Sequence, residues 1–98
     1  MTNPAPIEED EGQIQESLVQ TFRDNVQFVR DYRGFSQSEF ARRLGRSPGY
    51  VCDIEHGRRS PNLTTVALFA KALGIEASLL LSEDVSLLVD TALASEPE

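Results

Sequence analysis

Between residues 34 and 74 the chain is punctuated at close intervals. Gly34, Gly45, Gly57 and Gly74 each close a segment with buried-helix periodicity, while Ser36, Ser47 and Asn62 stand where the next segments open. Helices of two or three turns gain most of their stability from tertiary packing, so these segments must share one core. Ser36 followed three residues later by Glu39 is a capping box, with Phe35 and Phe40 at the positions of a hydrophobic staple. Phe40, Ala41 and Leu44 then form the inward side of a helix of about two turns, which Gly45 ends. Ser47 caps the next segment, SPGYVCDIEHG, and Pro48 takes the first helical position, where its missing N–H costs nothing. Val51 and Ile54 are its expected core pair. Two short helices joined by a turn of about three residues make a helix-turn-helix arrangement.

The flanking sequence is helical as well. Leu18, Phe22, Val26 and Val29 recur at spacings of four, four and three, which predicts an amphipathic first helix from about Gln15 to Tyr32. Asn62 caps a fourth helix whose Val66, Phe69, Ala70 and Leu73 face inward, with Lys71 at the negative end of the helix dipole. Residues 76–81 predict a short fifth helix, and Val85, Leu88, Val89, Ala92 and Leu93 describe a sixth amphipathic segment. No strand pattern or internal repeat is present. The expected fold is all-α: a five-helix core with an additional C-terminal amphipathic helix. Ninety-eight residues suit one compact unit, with Phe22, Phe28, Phe35, Phe40 and Phe69 as the expected large core pieces. Residues 1–12, rich in Pro and acid, read as a disordered tail. Residues 13–81 read as the folded unit, and 82–98 as the sixth helix with a polar end.

The net charge of −7 taken alone argues against a nucleic-acid partner. Its distribution argues otherwise. Residues 8–16 carry five acids and no base, residues 76–98 carry six acids and no base, and all nine bases fall in residues 17–75 beside five acids. Arg42, Arg43, Arg46, Arg58 and Arg59 are the densest basic set. The sequence shows neither an apolar run of membrane-spanning length nor a signal peptide, so a cytoplasmic protein is expected. Cys52 is the single cysteine and His56 the single histidine, without CxxC, HxxxH or HExxH spacing, so no metal site, cofactor or catalytic centre is expected. Cys52 reads as a small half-buried helix residue or, less simply, as a reactive thiol.

The stretch from Val29 to Leu81, and above all SQSEFARRLGRSPGYVCDIEHGRRSPNLTTVALFAKALGIEASLLL, resembles the lambda-repressor/Cro-like helix-turn-helix family, also called the XRE family. The resemblance implies a lambda-repressor-like DNA-binding domain and assigns roles residue by residue. Gln37 looks like the family's phosphate-clamping glutamine; otherwise it is an exposed residue beside a cap. Arg30 and Glu55 look like a partly buried ion pair tying the first helix to the third; otherwise they are two separately solvated charges. Ala41 and Gly45 resemble the small residues at the helix crossing and turn. The helix from Ser47 to His56 would enter the major groove with Ser47, Pro48, Gly49, Tyr50 and Asp53 outward, and Cys52 and His56 at its margins. This outward set departs from the family's usual Gln, Ser, Arg or Lys. Pro48, Gly49 and Asp53 make no bidentate contact to guanine or adenine, so specificity is expected to fall on Arg46, Tyr50 and DNA shape. Tyr50 is either a contact to DNA or a half-buried aromatic closing the side of the helix. Arg43, Arg46, Arg58 and Arg59 are expected on phosphates, while Arg42 turns to solvent or an acidic neighbour.

The function these residues imply is a sequence-specific transcriptional regulator of double-stranded DNA, most simply a repressor, acting as a homodimer on a two-fold symmetric operator. The expected dimer contact is the stripe Val85, Leu88, Val89 and Ala92; the alternative is that the sixth helix folds back on its own subunit against Leu18 and Phe22. A competing reading is a protein-interaction module, an antitoxin or anti-activator that meets another protein through the acidic ends or the segments LLL and VSLLV.

Overall fold

A computed structural model describes residues 4–94; residues 1–3 of the expected tail and residues 95–98 of the expected polar end lie outside the described residues. Six helices follow one another, α1 Glu11–Tyr32, α2 Gln37–Leu44, α3 Pro48–Glu55, α4 Leu63–Leu73, α5 Ala77–Leu80 and α6 Val85–Ala94, with no strand among the described residues. The fold is all-α, a lambda-repressor-like arrangement with an extra C-terminal helix.

The helix starts are set by side-chain oxygens on orphan backbone donors. At α2 the Ser36 hydroxyl accepts from the Glu39 N–H at 3.0 Å, and the Glu39 carboxylate accepts from the Ser36 N–H at 3.3 Å. The Ser36 backbone N–H, and after it the Ser36 hydroxyl, hold the Glu39 carboxyl below its ordinary pKa, since hydrogen bonds to the carboxylate favour the ionised form. Ser47 caps α3 through the Tyr50 N–H, and Asn62 caps α4 through the Thr65 N–H at 2.8 Å. Gly45 and Gly74 end α2 and α4 with φ of 67° and 73°, a left-handed conformation that a Cβ would strain. The start of α1 differs from expectation. The Asp10 carboxylate accepts from the Gly12 N–H at 2.7 Å, so the helix begins at Glu11 rather than near Gln15.

The core gathers on Phe69 of α4. Phe22 meets its ring at 5.7 Å between centroids, and Phe40 meets it edge-on at 5.2 Å and 89°. Val26, Val29, Ala41, Leu44, Val51, Ile54, Leu73 and Leu80 are among the other buried residues. Two expected core residues are elsewhere. Phe28 is 37% exposed and stacks on Tyr32, because Phe22, Val26 and Val29 already define the buried face of α1 and Phe28 falls off it. Leu18 is 50% exposed, because α1 runs on past the helices packed beneath it.

A buried amide secures the end of the core. Asn25, 6% exposed, turns its side-chain NH2 onto the carbonyls of Leu80 at 3.0 Å and Ser82 at 2.9 Å, with Leu79 further away at 3.3 Å. The last carbonyls of a helix lack intrahelical donors, and Asn25 supplies one at the C-terminal end of α5. α6 then packs on α1 and α5, and Leu88 and Ala92 are buried within the subunit at 0% and 1% exposure. These two residues of the expected dimer stripe therefore face inward. Val85 and Leu93 stay more than half exposed, and Val89 is half-buried.

Candidate nucleic-acid interface

A polar edge of α1 holds the third helix. Arg23, Gln27 and Arg30, spaced by four and three, lie beside the apolar stripe and reach the end of α3 and the turn after it. Arg30 meets Glu55 with two bonds, Nε to Oε2 at 2.6 Å and Nη2 to Oε1 at 3.0 Å, and its Nη1 donates to the Phe35 carbonyl at 2.7 Å. Gln37 Nε2 donates to Glu55 Oε1 at 3.0 Å. The Glu55 carboxylate, with a side chain only 2% exposed, thus joins the first, second and third helices. Gln27 Nε2 donates to the Glu55 backbone carbonyl at 3.1 Å, satisfying an orphan acceptor at the end of α3. Arg23, held by Glu16 at 2.8 Å and Gln20 at 2.6 Å, presses its guanidinium against Gly57. A Cβ there would sit 3.2 Å from Arg23 Nη1, and Gly57 also has a φ of 79°, so the position has two reasons to be glycine.

The outward side of α3 is organised around Tyr50. Its ring is half-buried, meeting Phe69 at 6.2 Å, and its hydroxyl lies 3.4 Å from Thr65 Oγ1. Arg46, before the helix, and Arg59, after it, bring their guanidinium carbons to 5.8 Å and 5.2 Å from the ring centroid. One aromatic side chain thereby gathers two arginines that are far apart in sequence. The first turn, Ser47, Pro48 and Gly49, is exposed beside them.

Asp53 does not stand as a lone negative charge. Arg58 Nε donates to its Oδ1 at 2.9 Å, and Arg58 Nη2 approaches Cys52 Sγ at 3.1 Å. Both contacts raise the Arg58 pKa, the Asp53 bond most, so the cation is held charged while its field is partly offset. His56 caps α3 with Nδ1 2.9 Å from the Cys52 carbonyl, which selects the tautomer protonated at Nδ1. Arg43 lies apart from the Tyr50 group: its guanidinium carbon is 4.4 Å from the Phe35 ring centroid, and it borders a hollow shared with Leu68 and Lys71. Arg42 is exposed.

Sequence reasoning did not single out Arg23, Gln27, Asn25 or Thr65. The spacing of Arg23, Gln27 and Arg30 is a signal visible in the sequence, since it marks a polar stripe flanking the apolar one. Nothing local marks Asn25, whose partners lie more than fifty residues away. Among the described residues no group of three or more His, Cys, Asp or Glu is placed to hold a metal ion, and no helix is long and apolar enough to cross a membrane.

Residues 28–80 match the helix-turn-helix family, over half of the chain. The immunity repressor protein of Bacillus phage phi105 is 33% identical over 64 residues, 65% of this chain and 44% of the relative. The HTH-type transcriptional regulator RamB of Mycobacterium tuberculosis is 34% identical over 71 residues, 72% of this chain and 14% of the relative. The chain thus matches less than half the length of either of these relatives. The crystal structure of the hypothetical transcription factor NHTF from Neisseria superimposes with a TM-score of 0.68 at 30% identity, covering 90% of this chain and 95% of that one. With a matching family over the segment that holds α2, α3 and their buried Arg30–Glu55 tie, this chain belongs to the lambda-repressor-like (XRE-like) helix-turn-helix family of transcriptional regulators.

Proposed function

We propose that the chain is a sequence-specific regulator of double-stranded DNA, acting as a repressor on a two-fold symmetric operator, with α3 in the major groove. The observation that carries this reading is the Tyr50 cluster. In a chain of net charge −7, Arg46 and Arg59 converge on one ring beside the exposed first turn of α3. Ser47, Pro48, Gly49 and Tyr50 approach the base edges, and the absence of a side chain at Gly49 allows backbone to come close. Arg46, Arg58, Arg59 and His56 serve phosphates on either side, with Arg43 reaching a more distant one. Gln37 commits one amide hydrogen to Glu55 and keeps the other for phosphate. Asp53 sets the position of Arg58 rather than reading a base.

The repressor direction draws on the phage immunity repressor among the relatives. A homodimer suits a helix with few base-reading groups, because two linked half-sites gain effective concentration. Its contact is proposed on the outer flank of α6, through Val85, Val89 and Leu93, with residues 13–81 as the DNA-binding unit, to which Glu11 and Gly12 add the start of α1. Selection of bound duplexes from a random library, with the salt dependence of affinity, tests the reading. A two-fold motif with affinity falling steeply in salt is expected. Weak binding at every salt concentration and no enriched motif would overturn it in favour of a protein-interaction module.

A further inference from the structure

The first turns of α1 overhang the rest of the chain. From Glu11 to Leu18 every residue is exposed, although Ile14 and Leu18 lead at four-residue spacing into Phe22, which is buried at 1%. The apolar stripe of α1 therefore continues beyond the core it serves. Beneath the overhang lies a groove of about 210 Å³, lined by Leu18, Val19, Phe22, Leu63, Val66 and Leu81. Leu63, the first residue of α4, is 82% exposed at its rim.

Along the chain the overhang is acidic. Glu8, Glu9, Asp10, Glu11 and Glu16 lie on or just before the overhang, and no Lys or Arg occurs from residue 4 to residue 22. The Glu16 side chain is 68% exposed even while paired with Arg23. Asp24 and Glu83 line the adjoining hollow on α1. Arg23, the next base along the chain, is taken up by Glu16 and Gln20, and the bases nearest Leu63 before α4 are turned elsewhere, Arg58 to Asp53 and Arg59 to Tyr50.

We propose that this groove docks a basic amphipathic helix of another protein, with apolar side chains seated between Leu18 and Leu63 and Lys or Arg against the acids of the overhang. Burial of the partner's apolar face supplies affinity, and the acidic border supplies orientation and selection against acidic partners. A second copy of this chain is disfavoured as occupant because it would bring two acidic arms together. The inference goes beyond the DNA reading and does not depend on it.

A labelled synthetic helix of about 18 residues, about five turns, with Leu on one face and Lys on the other, is titrated with the full chain by fluorescence anisotropy. Two further peptides replace Lys by Glu or Leu by Ser. Saturable binding of the Leu/Lys peptide is expected, with the other two weaker by about tenfold or more. Leu18→Ser with Leu63→Ser should weaken the Leu/Lys peptide by about tenfold while the circular dichroism stays that of the parent, since both side chains are exposed. Equal binding of the three peptides, no binding of any, or full binding by the double variant overturns the proposal. So does sedimentation showing a parent dimer that the double variant converts to monomer, which assigns the groove to a second copy. The peptide titration contains no DNA, so failure here and failure of operator selection are separate results.

Discussion

Tyr50 combines two roles in one side chain: its inner edge is part of the core, and its outer face organises Arg46 and Arg59. Tyr50→Phe keeps ring and stacking and loses only the hydroxyl contact to Thr65, so operator affinity is expected to change by less than about threefold, with stability falling by about 0.5–1.5 kcal/mol. Tyr50→Ala removes the platform and is expected to weaken operator binding by about tenfold or more. Binding isotherms with thermal melts separate the two effects, and equal affinity losses for both variants would place the hydroxyl on DNA. Asp53→Asn frees the Arg58 guanidinium from a carboxylate, so binding to random duplex should tighten and its log–log salt slope steepen by up to about one. Abolished binding in a folded Asp53→Asn protein would make the carboxylate a required contact.

Helix α3 is a short element whose placement depends on the helix beneath it. Arg30 and Glu55 form a buried two-bond pair, and Arg30→Ala leaves the Glu55 carboxylate buried with Gln37 as its remaining side-chain partner. Such a change is expected to cost about 3–5 kcal/mol, measured by urea unfolding. Helix α2 carries a pH dependence of definite sign. The folded-state pKa of Glu39 is depressed, so its contribution is complete above the ordinary carboxylate value of 4.5 and is lost as pH falls through the lower folded value. Glu39→Gln keeps an oxygen for the Ser36 N–H but has no proton to take up, so its stability should vary less between pH 5 and pH 3 than the parent's, by about one bound proton at most. Identical pH profiles would show that the box does not depend on ionisation. The box itself was legible in the sequence because Ser36 and Glu39 are three residues apart. The Gln27 bond to the Glu55 carbonyl was not, because it requires knowing which turn of α1 crosses the end of α3.

At the scale of the molecule, α6 divides its apolar residues between two uses. Leu88 lies in the core, so Leu88→Ala is expected to destabilise the monomer by about 2–5 kcal/mol, while Val85→Ser, at an exposed position, should leave stability within about 0.5 kcal/mol. Differential scanning calorimetry measures both, and sedimentation of the Val85→Ser protein reports whether the outer flank of α6 joins two copies. A chain ending at Ser82 would lose Leu88 as well as that flank. Loss of association in that shortened chain would therefore not by itself locate the interface.

The order and type of the helices are local properties. Ser36, Ser47, Asn62 and the glycines at the helix ends act within four residues of themselves, so their hydrogen bonds and dihedral angles follow from sequence spacing, and the resemblance over Val29 to Leu81 named Arg30 and Glu55 as partners. Burial is different, because it depends on which other elements reach a given face. Leu18 and Phe22 stand at the same helical spacing, yet only Phe22 has Phe69 against it; Leu88 and Val85 share one stripe, yet only Leu88 meets the core. The meeting of Arg46 and Arg59 over Tyr50 likewise joins residues on either side of a helix. Sequence spacing set the elements and their ends except the start of α1, and tertiary packing alone decided which apolar faces were consumed and which arginines came together.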